Sequence, residues 1–316
     1  MKLFDCLDFK PVWGLLNEPY HNSGPRRPYY SPEALIKALM LQRFMRIPSE
    51  RVLAEKLARC RDYRRICGFR RKTPCRGCFT HFRRNRFREE RFKEAFNFMV
   101  KQAVALGAVR GYAISIDSTA FKAYSAREAK KGKSDPDADV GRAGRTYILG
   151  YRVHLACVEG DVPLAFTVQP ISRNDKLFYR QLLEEASKAG VHFRVVAADR
   201  QYDSIMLRQW TWKTFNAETA IPTRHKHESR KSLQVDAKFR VSGPKRLVGA
   251  YHKRLCVERV FKKLKRQLNL EGHHLRGLAN VTIHACLTLM CVLAAIIASY
   301  KTGKPGKARS IKYWTN

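Results

Sequence analysis

The stretch Ala250 to Leu270, AYHKRLCVERVFKKLKRQLNL, sets one carboxylate into a strongly cationic helical segment at defined spacing. Tyr251, Arg254, Glu258 and Lys265 follow the pattern Y-x2-R-x3-E-x6-K. At about 100° per residue, these four side chains fall within roughly 60° of one another on one helix face. Val257, Val260, Phe261, Leu264 and Leu268 form the adjoining apolar stripe, so the helix docks on a core and presents the polar row along its edge. A basic amphipathic helix alone is ordinarily a solvated face. The weight of Glu258 therefore depends on whether other acids in the chain share its need of a cation.

Two do. Ala113 to Ser118 (AISIDS) alternates like a strand and closes on Asp117, and Phe193 to Asp199 (FRVVAAD) is a short apolar, β-branched run ending in Asp199. An aspartate at the end of a buried strand is costly unless a charge meets it, and a pair of them calls for a cation. Magnesium or manganese fits, since hard metals take oxygen ligands. Two such ions roughly 4 Å apart activate an attacking oxygen and stabilise a leaving one in phosphoryl transfer.

The order Asp117, Asp199, Glu258, with the Tyr-Arg-Glu-Lys helix around the last, resembles the DDE transposases of prokaryotic insertion sequences. The likeness extends to GYRVHLACVEGDVPLAFTVQPISRND (150–175), similar to the strand pair between the first two acids, and to AADRQYDS (197–204) around the second. Gln201 departs from the pattern, where the family usually has glycine before the tyrosine. The resemblance implies a ribonuclease-H-like α/β catalytic domain with a central mixed sheet flanked by helices. It implies Asp117, Asp199 and Glu258 as catalytic metal ligands, and Tyr251, Arg254 and Lys265 as contacts to transposon-end phosphates. It further implies two Mg2+ or Mn2+ ions, DNA as substrate and target, and a homodimer holding two DNA ends.

Composition agrees with a polyanionic partner. The 316 residues carry 62 Lys and Arg against 27 Asp and Glu, a formal net charge of +35. Such a field favours nucleic acid over an anionic membrane. The apolar content of 45% supports a folded core rather than a basic disordered tail. Nine scattered cysteines and a start lacking a charged-then-apolar leader predict a reducing cytoplasm. Cys75-x2-Cys78 has metal-like spacing, but no second C-x2-C or H-x3-H pair completes a zinc set. It also reads as a turn and helix start. No G-x4-G-K-[ST] motif occurs, so no nucleotide cofactor is expected.

In order along the chain, residues 1–110 read as an all-helical domain that binds DNA. Ser31-Pro32-Glu33 opens one helix, Pro48-Ser49 caps a second through Arg59, Asp62 starts a third stopped by Gly68, and a long helix runs from Thr80 to about Leu106. From Arg59 to Lys93 there are fourteen Lys or Arg against three acids, interleaved with aromatics. Arg83, Arg84, Arg86 and Arg88 are the candidates for phosphate or groove contacts.

Residues 111–300 read as the catalytic domain. Within it 125–145 is a polar loop, Gly160-Asp161 turns a hairpin between 146–159 and 162–170, and 176–189 is an amphipathic helix. Residues 223–249 are a basic insertion, whose His225 and His227 read as exposed rather than ligating. Trp210 and Trp212 read as packing against the sheet, with base stacking as the competing use. Gly277 to Tyr300 has 24 residues without a charged side chain, long enough for a membrane span but interrupted by polar residues, and the resemblance implies a buried C-terminal helix here. Residues 301–316 form a basic tail. A DNA-binding repressor without catalysis, or a nuclease on the same fold, are the alternative functions.

Overall fold

The computed structural model describes residues 3–9, 30–109, 111–124, 135–223, 233–236 and 240–315. His225, His227 and much of the basic insertion lie outside the described residues.

The helical start is largely as its caps dictate. Pro32–Phe44 (α1) begins behind Ser31, and Glu50–Arg59 (α2) begins where the Ser49 hydroxyl accepts the Val52 N–H. Arg61–Cys67 (α3) stops at Gly68, whose φ of 87° is the left-handed cap that glycine adopts without strain. The long helix expected from Thr80 differs. It begins as Arg76–His81 (α4), widens to a π-helical stretch at Phe82–Phe87, and resumes as Arg88–Ala105 (α5). The wide turn lets Phe82, Phe87 and Phe92 pack on one another with centroids 4.7–6.1 Å apart.

The sheet has six strands: Ala113–Lys122 (β1), Asp139–Ala143 (β2), Thr146–Val158 (β3), Val162–Pro170 (β4), Val195–Ala198 (β5) and Glu218–Ala220 (β6). Their order is β2-β3-β1-β5-β6, with β4 pairing the far half of β3. Pairs β1–β3, β2–β3 and β3–β4 are antiparallel, whereas β1–β5 and β5–β6 are parallel, giving the mixed sheet expected of a ribonuclease-H-like layer. Two expectations are corrected. β1 does not end at its aspartate but runs on to Lys122, because β3 continues to pair it after β5 has ended. Part of the presumed loop 125–145 is ordered as β2, laid along β3. At Gly150 a side chain would collide with the Phe121 carbonyl, so β3 comes this close to β1 through a glycine.

Helices cover the sheet. Tyr179–Lys188 (α6) and Ile205–Phe215 (α7) follow β4 and β5. Within the insertion Gln234–Val235 (β7) and Val241–Ser242 (β8) form a small ladder, and Leu233 and Leu247 are buried. Lys245–Lys253 (α8) and Leu255–Arg266 (α9) meet at Arg254. The single helix read over 250–270 is thus two, because the hydrogen bonds tighten to three-residue spacing there, from Arg254 N to Tyr251 O and from Val257 N to Arg254 O.

Leu278–Lys301 (α10) is long and apolar enough to cross a membrane, yet the apolar window that qualifies it is wholly buried inside the protein. It packs on α1, α5 and β4, so helices from the first hundred residues share one core with the sheet. The last residues do not trail off: Ile311–Thr315 (α11) buries Ile311 and Trp314 against that core.

One buried acid fastens the glutamate helix to the sheet. Asp161, at the tip of the β3–β4 hairpin, is 0% exposed and receives Lys263 Nζ at 2.9 Å and Arg259 Nη2 at 2.7 Å, both from α9. Asp161→Ala leaves Lys263, itself 8% exposed, without its counter-charge. Removing one partner of a buried pair costs about 3–5 kcal/mol. Urea unfolding of that variant should show a loss of this order; a loss below about 1 kcal/mol, the worth of a surface pair, would rule out the anchor.

Candidate active site

The three acids approach one another because of sheet register. Ile116 of β1 pairs with Ala198, the last residue of β5, so Asp117 and Asp199 follow at adjacent positions on neighbouring strands. Asp199 leaves the strand as the cap of a tight turn, Arg200–Tyr202, and its carboxylate accepts the Gln201 N–H at 2.8 Å. A non-glycine residue is accommodated there, since the turn uses the backbone of Gln201. Glu258 arrives from the first turn of α9.

Arg254 joins them. Its Nη1 donates to Asp117 Oδ2 at 2.8 Å and its Nη2 to Glu258 Oε1 at 2.8 Å. The guanidinium also lies over the Tyr251 ring, 5.4 Å from its centroid. The residue expected to grip a phosphate thus spans two of the three carboxylates. Lys265 bonds the Ala120 carbonyl at 2.6 Å and Glu271 at 2.9 Å, tying α9 along β1.

Electrostatics follow from this crowding. Burial pushes Asp117 up to about 7; Arg254 and the Ser118 N–H oppose the rise, and the charges of Asp199 and Glu258 add to it. Asp199 is raised by burial as well, against the Gln201 N–H and Arg254. Burial works against the charge of Arg254, but Asp117 and Glu258 carry its value upward.

A neighbouring network escaped the sequence reading. Ser118 Oγ donates to Asp175 Oδ2 at 2.7 Å, and Arg152 Nη1 reaches both Asp175 oxygens at 3.1 Å. Asp175 also acts through space on Asp199. His154 beside it is fully buried and pushed down to about 4 by that burial, so it is neutral at physiological pH. The only signal was the acid in SRND, which reads equally as a helix cap.

The donor chemistry fits a hard divalent ion, for all three side chains offer carboxylate oxygens. Among the described residues, however, no three His, Cys, Asp or Glu side chains are close enough to hold one ion. Arg254 occupies the space between Asp117 and Glu258. Cys75 and Cys78 have their sulfurs 3.5 Å apart, and His81 bonds Asn85.

The four candidate arginines divide. Arg83 is corrected from a surface cation to a core one: it is 3% exposed, pairs with Glu50 at 2.9 Å and bonds Asn280. The π-helical stretch turns it inward beside Phe82 and Phe87. Arg84 and Arg88 are exposed, and Arg86 bonds His81 at 3.3 Å. Trp210 packs against Tyr179 and Phe215, whereas Trp212 is exposed.

A family model described as the Transposase DDE domain matches residues 110–294, more than half of the chain and inclusive of all three acids. A second, described as Transposase domain (DUF772), matches residues 1–85. No curated protein matches the chain.

The raised Asp117 value has a consequence for stability. Its ordinary value is 3.8 and its folded value about 7, so between these the folded chain holds more protons than the unfolded one. In the absence of divalent ions, its contribution to stability therefore falls as pH rises from about 4 to about 7. Asp117→Asn abolishes this dependence. The variant should melt above the parent protein at pH 8 and converge with it near pH 4. A lower melting point at pH 8 would mean that the Arg254 ion pair outweighs burial.

Proposed function

Because the chain belongs to the DDE-domain transposases, we propose that it cuts DNA at the ends of an insertion sequence and joins the freed 3′-hydroxyl to target DNA. Asp117, Asp199 and Glu258 are the catalytic carboxylates of this reading. The observation that carries it is one guanidinium bridging a strand aspartate and a helix glutamate, Asp117 and Glu258, with Asp199 next to Asp117 in the sheet register.

The same three side chains would hold Mg2+ or Mn2+ once Arg254 leaves the space between Asp117 and Glu258, and the ion when bound would supply Lewis-acid stabilisation of charge on the phosphate oxygens. The chain's own residues do the rest. The sheet fixes Asp117 and Asp199, while Asp161 and Lys265 fix the helix that brings Glu258. Arg254 holds Asp117 and Glu258 together, and its planar fork would grip a phosphate in two bonds on releasing those carboxylates. Tyr251 backs that fork. Arg84, Arg86 and Arg88 contact DNA beyond the cut. Two ends joined to one target require two such sites and therefore a homodimer, acting on DNA in the cytoplasm.

Removing a carboxylate removes cation charge from the reacting phosphate, whereas binding draws on distributed cations. Asp117→Ala, Asp199→Ala and Glu258→Ala should each abolish Mg2+-dependent nicking of a labelled duplex carrying the element's end. Binding of that duplex should stay within a few fold. Binding with no cleavage by the parent protein would support a repressor, and cutting indifferent to the end sequence a nuclease.

A further inference from the structure

A second polyanion site is built at the far end of β1. A cleft of about 680 Å3 opens between the α1–α2 and α4 region on one side and the segment after α9 on the other. Arg51, Arg76, Arg84 and Arg276 line it, with Tyr124 and His274. Those two rings lie 4.9 Å apart in a tilted stack, and the Arg276 guanidinium covers Tyr124 at 4.9 Å. Among the described residues the one acid lining the cleft is Glu50, already engaged by Thr80 at 2.9 Å and Arg83 at 2.9 Å. Arg51, Arg76 and Arg84 are exposed and have no ion-pair partner among the described residues. Arg51, Arg76 and Arg84 thus give the cleft an exposed cationic face beside its aromatic wall.

Its position relative to the acids is fixed by a run of contacts. β1 and the α9 segment advance together: Arg254 meets Asp117, Lys265 meets Ala120, His273 meets the Lys122 carbonyl at 3.2 Å, and His274 meets Tyr124. Five strand steps of about 3.3 Å carry β1 from Asp117 to its end at Lys122, and the two residues from there to Tyr124 bring the separation to roughly 20 Å. A strand of B-DNA advances about 3.4 Å per nucleotide, so this separation of roughly 20 Å corresponds to about six nucleotides.

The geometry points to the cleft as a phosphate-binding subsite for the DNA backbone, about six nucleotides from the phosphate held at Asp117, Asp199 and Glu258. This rests on the reading of those acids as the site of DNA cleavage. The cleft grips the backbone through Arg51, Arg84 and Arg276 and sets the register in which the cut phosphate reaches the acids. It reads no base, because arginines that pair with phosphate carry no sequence information.

The test uses the full chain and a labelled duplex carrying the element's end. Phosphate ethylation interference should show a group of phosphates five to seven nucleotides from the cut whose modification weakens binding. Arg51→Ala/Arg84→Ala should erase interference at that group alone. It should also flatten the log-log salt dependence of binding by about 1.8, at about 0.9 per lost contact. Both residues are exposed, so an unchanged melting temperature excludes misfolding. An unchanged slope with an unchanged interference pattern would overturn the subsite, as would loss spread evenly over all phosphates. If the parent protein makes no metal-dependent cut, or Asp117→Ala still cuts, the reading of the acids fails instead. Interference at any one group of phosphates that Arg51→Ala/Arg84→Ala erases would then still establish the cleft as a backbone site.

Discussion

Everything around the site depends on placing the carboxylate of Asp117 in the interior of a sheet, against its preference for water. A lone buried carboxylate costs several kcal/mol, and Arg254 is what meets it. That arginine can reach β1 because α8 and α9 meet at its own position, and α9 stays in place because Asp161 binds Arg259 and Lys263 one and two turns farther on. One buried acid thus positions the helix that serves another. The glutamate between them is the most exposed of the three site acids, with 46% of its side chain open to solvent. It is free to change partner, where Asp117 and Asp199 are fixed by the strands that carry them.

The parts of this arrangement differ in how far a sequence can express them. Asp117 and Asp199 are legible because each follows a run of apolar, β-branched residues that fits a buried strand, and the parallel register places them side by side. The caps at Ser31 and Ser49 and the stop at Gly68 are local chemistry, settled within a few residues. Arg83 was not legible. Its neighbours Arg84 and Arg88 have the same composition around them, and only the π-helical stretch, relieving three crowded phenylalanines, turns Arg83 inward to Glu50. Asp161 and Asp175 were hidden for a related reason. Asp161 sits in a turn and Asp175 opens a short 3-10 helix, places where aspartate is ordinary, and the counter-charges of each come from residues remote in sequence. The break at Arg254 is likewise invisible to a periodicity that runs on through it.

The helical start and the catalytic sheet move as neighbours in one core, through α10. That helix is apolar all round because it is covered all round, by α1, α5 and β4. A buried polar chain crosses it: Arg43 of α1 bonds His284 Nδ1 at 3.1 Å, and His284 Nε2 bonds the Leu270 carbonyl at 3.2 Å, just beyond α9. Burial, with the nearby Arg43 charge, holds His284 well below its ordinary value, so the ring is neutral. A neutral ring with its hydrogen on Nε2 satisfies both bonds at once, accepting from arginine and donating to the carbonyl. The wall of the cleft that Arg43 and His284 help to line is thereby tied to the chain just beyond α9.

Charge then explains why local and global electrostatics oppose each other. The chain as a whole carries +35 and draws a polyanion from every side. At the point of reaction three carboxylates face one guanidinium, a formal −2 when all are ionised, and a phosphodiester brought there adds a further negative charge. On the proposed function the field of the whole protein gathers DNA, but screening over roughly 8 Å at physiological salt leaves the local repulsion to be answered locally. Burial is the main reason that the Asp117 carboxyl is lifted to about 7 even with Arg254 in contact, and the charges of Asp199 and Glu258 add to it. An anionic substrate can approach these acids only in company with additional positive charge, and carboxylate oxygens select a hard cation to bring it. On the proposed function, the acids would therefore repel the substrate alone and accept it with its ion, which would confine the chemistry to the assembled state.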